Sequence, residues 1–158
     1  MSKTLWRIAV EAPAYSANDL TGKGAESTGG RWNAKGTAVI YASTSISLAA
    51  METLVHLGAG ILPLNRYLVR IDVPDRVWDN AFDLDTSNVP GWDALPVGKA
   101  SIDWGQRWLK SNDTLLAFVP SVIVPEERNC LINPAHADIS KVKATTLRKW
   151  IYDARLGI

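Results

Sequence analysis

The chain has 158 residues, 47% of them hydrophobic, and a formal net charge of +1 at pH 7. That length fits one domain, large enough to bury a core without disulfides or metal. The near-neutral charge argues against a global attraction to nucleic acid or to an acidic membrane surface, and no apolar run approaches the roughly 18 residues of a membrane-spanning helix.

Cys130 is the only cysteine, so no intrachain disulfide forms, which fits a reducing cytoplasm. Met1 to Val10 lacks a basic region followed by a long apolar run, so no signal peptide is expected. Two histidines and one cysteine at wide spacing argue against a structural zinc site. Six aspartates face a single Arg76 between Asp72 and Asp93, and the chain is basic from Lys141 onward; solvated surface is the default reading of both runs. The seven tryptophans are scattered along the chain, and core packing is their default reading. Trp32 is the exception, because it adjoins Arg31 in a glycine-rich turn.

Leu5 to Val10 is a short strand interrupted by Arg7. Ala12 to Gly30 is a long polar loop, with a short helix expected near Ala17 to Leu20; loops of this length are often functional, and this one could act as a lid. Gly29 and Gly30 permit close approach of the backbone to a ligand just before Arg31. Thr37 to Ala42 is the next strand. Ser43, Thr44, Ser45 and Ser47 offer N-caps for a following helix that Gly58, Gly60 and Pro63 would end. On that helix Glu52 and His56 lie four positions apart and so share a face. Its other positions are apolar nearly all round, which predicts burial. A buried carboxylate is costly unless paired or hydrogen-bonded, so Glu52 needs an explanation.

Arg66 to Val73 alternates as a strand, with Tyr67, Val69, Ile71 and Val73 on one face. Val77 to Gly98 is loop-rich. Ser101 is expected to cap a helix running to about Lys110, with Trp104 and Trp108 one turn apart. Leu115 to Val119 and Val122 to Val124 read as strand, broken at Pro120-Ser121. Pro125 to Asn129 is a turn, Cys130 to Ile132 a short strand, and Lys141 to Thr146 a last strand. Leu147 to Leu156 fits either helix or strand. Strands and helices mix without regular βαβ spacing, which indicates an α+β domain.

G-x-G-x-x-G, Walker A, G-x-S-x-G and H-E-x-x-H motifs are all absent. The remaining candidates are Arg31, Tyr41, Glu52, His56 and Ser121. Arg31 could fork onto a phosphate or carboxylate, or form a structural ion pair, for instance with Glu52. Glu52 could stabilise developing positive charge or hold a sugar hydroxyl. Tyr41 is either a stacking ring or a core tyrosine with a satisfied hydroxyl. His56 is more often a satisfied histidine than a catalytic one. Ser121 follows a proline where a bulge could aim its hydroxyl inward.

Taken in order, several short pieces resemble the RES-domain family, the toxin half of bacterial RES–Xre toxin–antitoxin pairs. They are Leu5-Trp6-Arg7-Ile8, Gly30-Arg31-Trp32-Asn33, Val39-Ile40-Tyr41-Ala42 and Glu52-Thr53-Leu54-Val55-His56, then Val119-Pro120-Ser121 and Asn129-Cys130-Leu131-Ile132-Asn133-Pro134 with His136. The family's Arg, Glu and Ser fall on Arg31, Glu52 and Ser121. The resemblance spans nearly the whole chain as one RES domain, 1–158. It implies a mixed or antiparallel sheet core similar to ADP-ribosyltransferase toxins.

The activity it implies consumes NAD+ by breaking the nicotinamide–ribose bond, through hydrolysis or phosphorolysis, or else through ADP-ribosylation of a protein. Under that resemblance Arg31, Glu52, Tyr41 and Ser121 are catalytic, and Arg7, Trp32, His56 and Asn129 bind substrate. No metal and no cofactor is implied; NAD+ is the substrate. The implied partner is an Xre-family antitoxin that occludes the active site. DNA is reached only through that antitoxin, no membrane is involved, and a homodimer within the complex is plausible. A catalytically dead binding module is disfavoured by the joint presence of Arg31, Tyr41, Glu52 and Ser121. A nuclease is disfavoured by the lack of a basic stripe.

Overall fold

The computed structural model describes residues 1–57 and 64–157. Among them, β1 (Ser2–Val10), β2 (Ile40–Ser43), β3 (Arg66–Pro74), β4 (Phe82–Asp83), β5 (Leu116–Pro120), β6 (Arg128–Ile132) and β7 (Lys143–Lys149) form one sheet. Its order is β4-β5-β6-β2-β1-β3-β7. β4 and β5 are parallel and the other pairs antiparallel. Helices α1 (Lys23–Thr28), α2 (Ile46–Leu54), α3 (Asp75–Asp79) and α4 (Lys99–Ser111) complete an α+β architecture, as the sequence indicates.

Period-two alternation distributes the side chains to two buried faces. Leu5, Ala9, Ile40, Ala42, Val69, Ile71, Cys130 and Ile132 pack on one side, covered by Val77 and Trp78 of α3 and by Ala17 and Leu20 of the long loop. The opposite face carries two smaller clusters. Ala117, Val119 and Leu131 meet Trp32, Leu84, Val89, Trp108 and Leu109. Ile8 and Leu68 meet Ala49, with Trp6, Ile46 and Trp150 packed around them.

Several expectations are corrected. The helix near Ala17 to Leu20 does not form. There the Glu11 carboxylate accepts from the Ala17 N–H and the Asp19 carboxylate accepts from Thr21, local bonds that compete with a helix; the helix falls at Lys23–Thr28 instead. Ser101 does not cap α4. Gly98 holds the N-cap position, and Ser101 sits inside the first turn. Val122 to Val124 is not strand, because the Ile123 and Val124 N–H groups donate to Ser121 Oγ and the segment turns. The tryptophans are not scattered in space: Trp32 lies against Trp92 and Trp104, which in turn stacks on Trp108.

The largest correction concerns α2. It ends at Leu54, with Val55 and His56 in a following turn, and only Leu48 and Ala49 are buried. Met51 is 41% and Val55 59% exposed. The helix packs on one face of the sheet through Ile46, Ala49 and Ala50, and, Leu48 apart, its other apolar residues are only partly covered by the described residues. Gly58, Gly60 and Pro63, expected to stop it, lie outside the described residues.

The charge runs are absorbed by surface structure. Asp79 pairs with Lys3, Asp83 with Arg128, and Asp85 caps the short turn at Thr86–Asn88. Lys143, Arg148 and Lys149 line β7, an edge strand that charged side chains keep from pairing with other chains.

Candidate functional site

The turn from Gly30 to Thr37 is built around two polar side chains, the buried Asn33 and the half-buried Tyr41. Asn33, 1% exposed, donates from Nδ2 to the carbonyls of Ala25, Ala34 and Thr37. Its Oδ1 accepts from the Tyr41 hydroxyl at 2.6 Å, and that hydroxyl accepts from the Trp32 N–H at 3.0 Å. Burial pushes the Tyr41 phenol far above its ordinary pKa, the bonds to the turn and nearby Arg31 opposing this. Gly30 must be glycine, since a Cβ there would lie 2.8 Å from the Tyr41 hydroxyl oxygen.

Helix α4 clamps the same turn from outside. A Cβ on Gly105 would lie 1.7 Å from the Trp32 carbonyl oxygen, so the helix backbone rests directly on the turn. Gln106 accepts from the Ala34 N–H and donates to Thr37 Oγ1.

Arg31 projects from this fixed turn. Its Nη1 donates to the carbonyls of Trp92 at 2.8 Å and Ala94 at 3.0 Å. Dehydration lowers the guanidinium pKa, opposed first by the charge of Glu52 and then by Asp93 and Tyr41. Arg31 and Glu52 are thus electrostatic neighbours but do not form an ion pair. The backbone carbonyls hold the arginine by one nitrogen, and among the described residues its Nε and Nη2 have no hydrogen-bond partner.

Glu52 is explained by a different set of partners. Its Oε1 accepts from Ser121 Oγ and from Asn129 Nδ2, both at 2.6 Å. Asn129 Oδ1 accepts from Ser43 Oγ at 2.7 Å. Ser121, fully buried, accepts two N–H bonds from Ile123 and Val124, so every hydrogen-bonding capacity of its hydroxyl is committed. Glu52 Oε2 has no partner among the described residues, which leaves one oxygen of a fixed carboxylate available. The serine loop between β5 and β6 is closed by the Ser121 N–H donating to Glu127.

A cleft of about 490 Å³, within the ordinary range for small-molecule sites, is lined in part by chain neighbours of these residues and by none of Arg31, Tyr41, Glu52, Ser121 or Asn129 themselves. Its walls include Trp92, whose carbonyl holds Arg31, Pro120, which precedes Ser121, and Arg128, which precedes Asn129. Among the described residues, no group of three or more His, Cys, Asp or Glu side chains converges as a metal site requires.

The structure therefore brings Arg31, Tyr41, Glu52, Ser121 and Asn129 into one neighbourhood. The side chains of the other candidates do not join it. Trp32 is 3% exposed and packs beneath the turn. His56 is exposed in the turn after α2, and no hydrogen bond joins it to Glu52. Arg7 opposes Val69 across the sheet. Its neighbour Trp6 shares a face with Ser43, so Arg7 points to the opposite one, near Asp19 and Tyr15. Burial lowers the Arg7 pKa against the raising effect of those two groups.

Sequence reasoning missed Asn33, Ser43, Gly105 and Gln106. Gly105 carried a signal, for a glycine inside a helix costs about 1 kcal/mol relative to alanine and implies a close approach. Ser43 was read only as one of several caps, whereas Ser45 is the cap.

The RES domain family model matches residues 4–154. The chain is 55% identical over 157 residues to the Prs ADP-ribosylating toxin of Sphingobium sp. strain YBL2, covering 99% of this chain and 98% of that protein. It is 41% identical over 133 residues to Toxin Res of Yersinia enterocolitica, covering 84% of each. To Toxin Res of Pseudomonas putida it is 38% identical over 141 residues, covering 88% of this chain and 90% of that one.

Proposed function

The chain belongs to the RES domain family, and we propose from that premise that it is a toxin enzyme that cleaves the nicotinamide–ribose bond of NAD+. The observation that carries this reading is Glu52: one oxygen is held by Ser121 and Asn129, the other has no partner among the described residues, and the Arg31 guanidinium lies nearby. When the C–N bond breaks, its electron pair leaves with nicotinamide as a neutral ring. Positive charge develops on the ribose, and a preorganised carboxylate stabilises that charge as it forms. The open Nε and Nη2 of Arg31 suit the pyrophosphate oxygens. The half-buried Tyr41 ring offers a surface beside nicotinamide, while its hydroxyl serves the turn. Ser121 acts through Glu52 rather than on substrate.

Water as the nucleophile gives ADP-ribose, phosphate gives its phosphorylated counterpart, and a protein side chain gives an ADP-ribosylated protein. Transfer is the second reading, favoured by the name of the Sphingobium relative. NAD+ labelled in its ADP-ribose half, incubated with purified protein, with and without phosphate and bacterial lysate, separates the three. Free ADP-ribose supports hydrolysis, a phosphate-dependent product supports phosphorolysis, and a labelled protein band supports transfer. Label remaining in NAD+ under all conditions contradicts the proposal. A second test is R31K. With the fork lost, KM for NAD+ should rise about tenfold while kcat changes little; an unchanged KM contradicts the role given to Arg31. An Xre-type antitoxin as the silencing partner is carried by the sequence resemblance alone.

A further inference from the structure

We infer that Ser43 is a positioning residue for Glu52, acting through the Asn129 amide; this rests on the catalytic reading of Glu52 above. Ser43 is the last residue of β2 and is 3% exposed. Strand register places it directly opposite Asn129 on β6, with Trp6 of β1 on its other side. Its hydroxyl donates to Asn129 Oδ1 at 2.7 Å, and the far end of that amide donates from Nδ2 to Glu52 Oε1 at 2.6 Å.

An asparagine amide has two ends of nearly equal shape and opposite hydrogen-bonding character. Turned the wrong way, Asn129 would present an acceptor to the Glu52 carboxylate. The Ser43 hydroxyl gives the amide oxygen a donor and so favours the productive orientation. The obvious alternative role for Ser43 is already filled, since Ser45 caps α2.

The arrangement matters because of where Glu52 sits. Helix α2 buries only Leu48 and Ala49, so packing alone holds it weakly. Ser43 and Asn129 belong to paired strands in the middle of the sheet. The relay therefore references a carboxylate on a partly covered helix to the centre of the sheet. The Ser121 hydroxyl does the same from the loop between β5 and β6.

The test is a mutant cycle read by nicotinamide release from NAD+ under the conditions that support turnover. S43A should lower kcat about tenfold, with KM within about twofold. In an N129A background the same change should have no further effect, because Ser43 works only through that amide. S43T, which keeps the hydroxyl, should retain wild-type kcat; should S43A not fold, S43C, isosteric with a weaker donor, carries the same expectation as S43A. Wild-type kcat in S43A, effects that multiply in the N129A background, or a loss confined to KM would overturn the inference. The E52Q variant runs alongside. If it turns over normally, the reading of Glu52 itself fails; if it is inactive while S43A is normal, only the role of Ser43 fails.

Discussion

Two side chains that look like ligand-binding groups in the sequence, Tyr41 and Arg31, are both tied to the backbone in the structure. Tyr41 uses its hydroxyl on the Trp32 N–H and on Asn33, and so fixes the turn that aims Arg31. Removing that hydroxyl in Y41F leaves a donor and an acceptor without partners, and should destabilise the protein by about 1–3 kcal/mol in urea unfolding. Because burial raises the folded-state pKa of Tyr41 above its unfolded value near 10, the associated stability is complete below pH 10 and falls as pH rises beyond it. Unfolding midpoints measured from pH 9 to 11 should fall more steeply for wild type than for Y41F; equal slopes would contradict this. Glu52 shows how far a sequence reaches at this scale. A carboxylate within an apolar stretch is visibly costly, so the need for partners was legible. Their identity was not, because Ser121 and Asn129 are 69 and 77 positions away in the chain. The ion pair, one of the two readings of Arg31, does not form; its Nη1 binds backbone carbonyls that no sequence pattern announces.

Elements were legible where alternation or capping is local, and misread where neighbours decide. The strand over Arg66–Pro74 follows its alternation closely. For α2, the sequence shows how many residues are apolar but not how many neighbours there are to cover them. Its outer side is only partly covered by the described residues, and point attachments help to hold the helix. One is Thr53, whose hydroxyl lies 2.6 Å from that of Tyr152, a buried residue of the C-terminal segment. T53V and Y152F should each lower stability, and the double mutant should fall short of their sum by about 1 kcal/mol; full additivity would remove this strap from the account. Helix α4 makes a stronger demand. G105A puts a methyl group where the Trp32 carbonyl stands, and should cost about 3 kcal/mol or more, read as a lowered thermal midpoint. A neutral G105A would mean that the helix does not rest on the turn.

At the scale of the whole molecule, the fold class follows from strands and helices that alternate without βαβ spacing. What the sequence hides is non-local assembly. Trp32, Trp92, Trp104 and Trp108 come from the glycine turn, the loop before α4 and α4 itself, and they meet only in the folded structure. They cover one part of a sheet face while α2 covers another part of the same face, and Ser43, Asn129 and Glu52 lie where the two coverings join. No described helix is long and apolar enough to cross a membrane. The family match extends over residues 4–154, so it includes both coverings and the strands between them.

The central claim is that the Glu52 carboxylate stabilises the breaking nicotinamide–ribose bond. It is tested most directly by nicotinamide release from NAD+ by the wild-type protein and by E52Q, with phosphate and bacterial lysate both supplied as nucleophile sources. The account predicts steady release by the wild type and a rate about 100- to 1,000-fold lower in E52Q at an unchanged thermal midpoint. Equal release by two folded proteins, or none from the wild type, would contradict it.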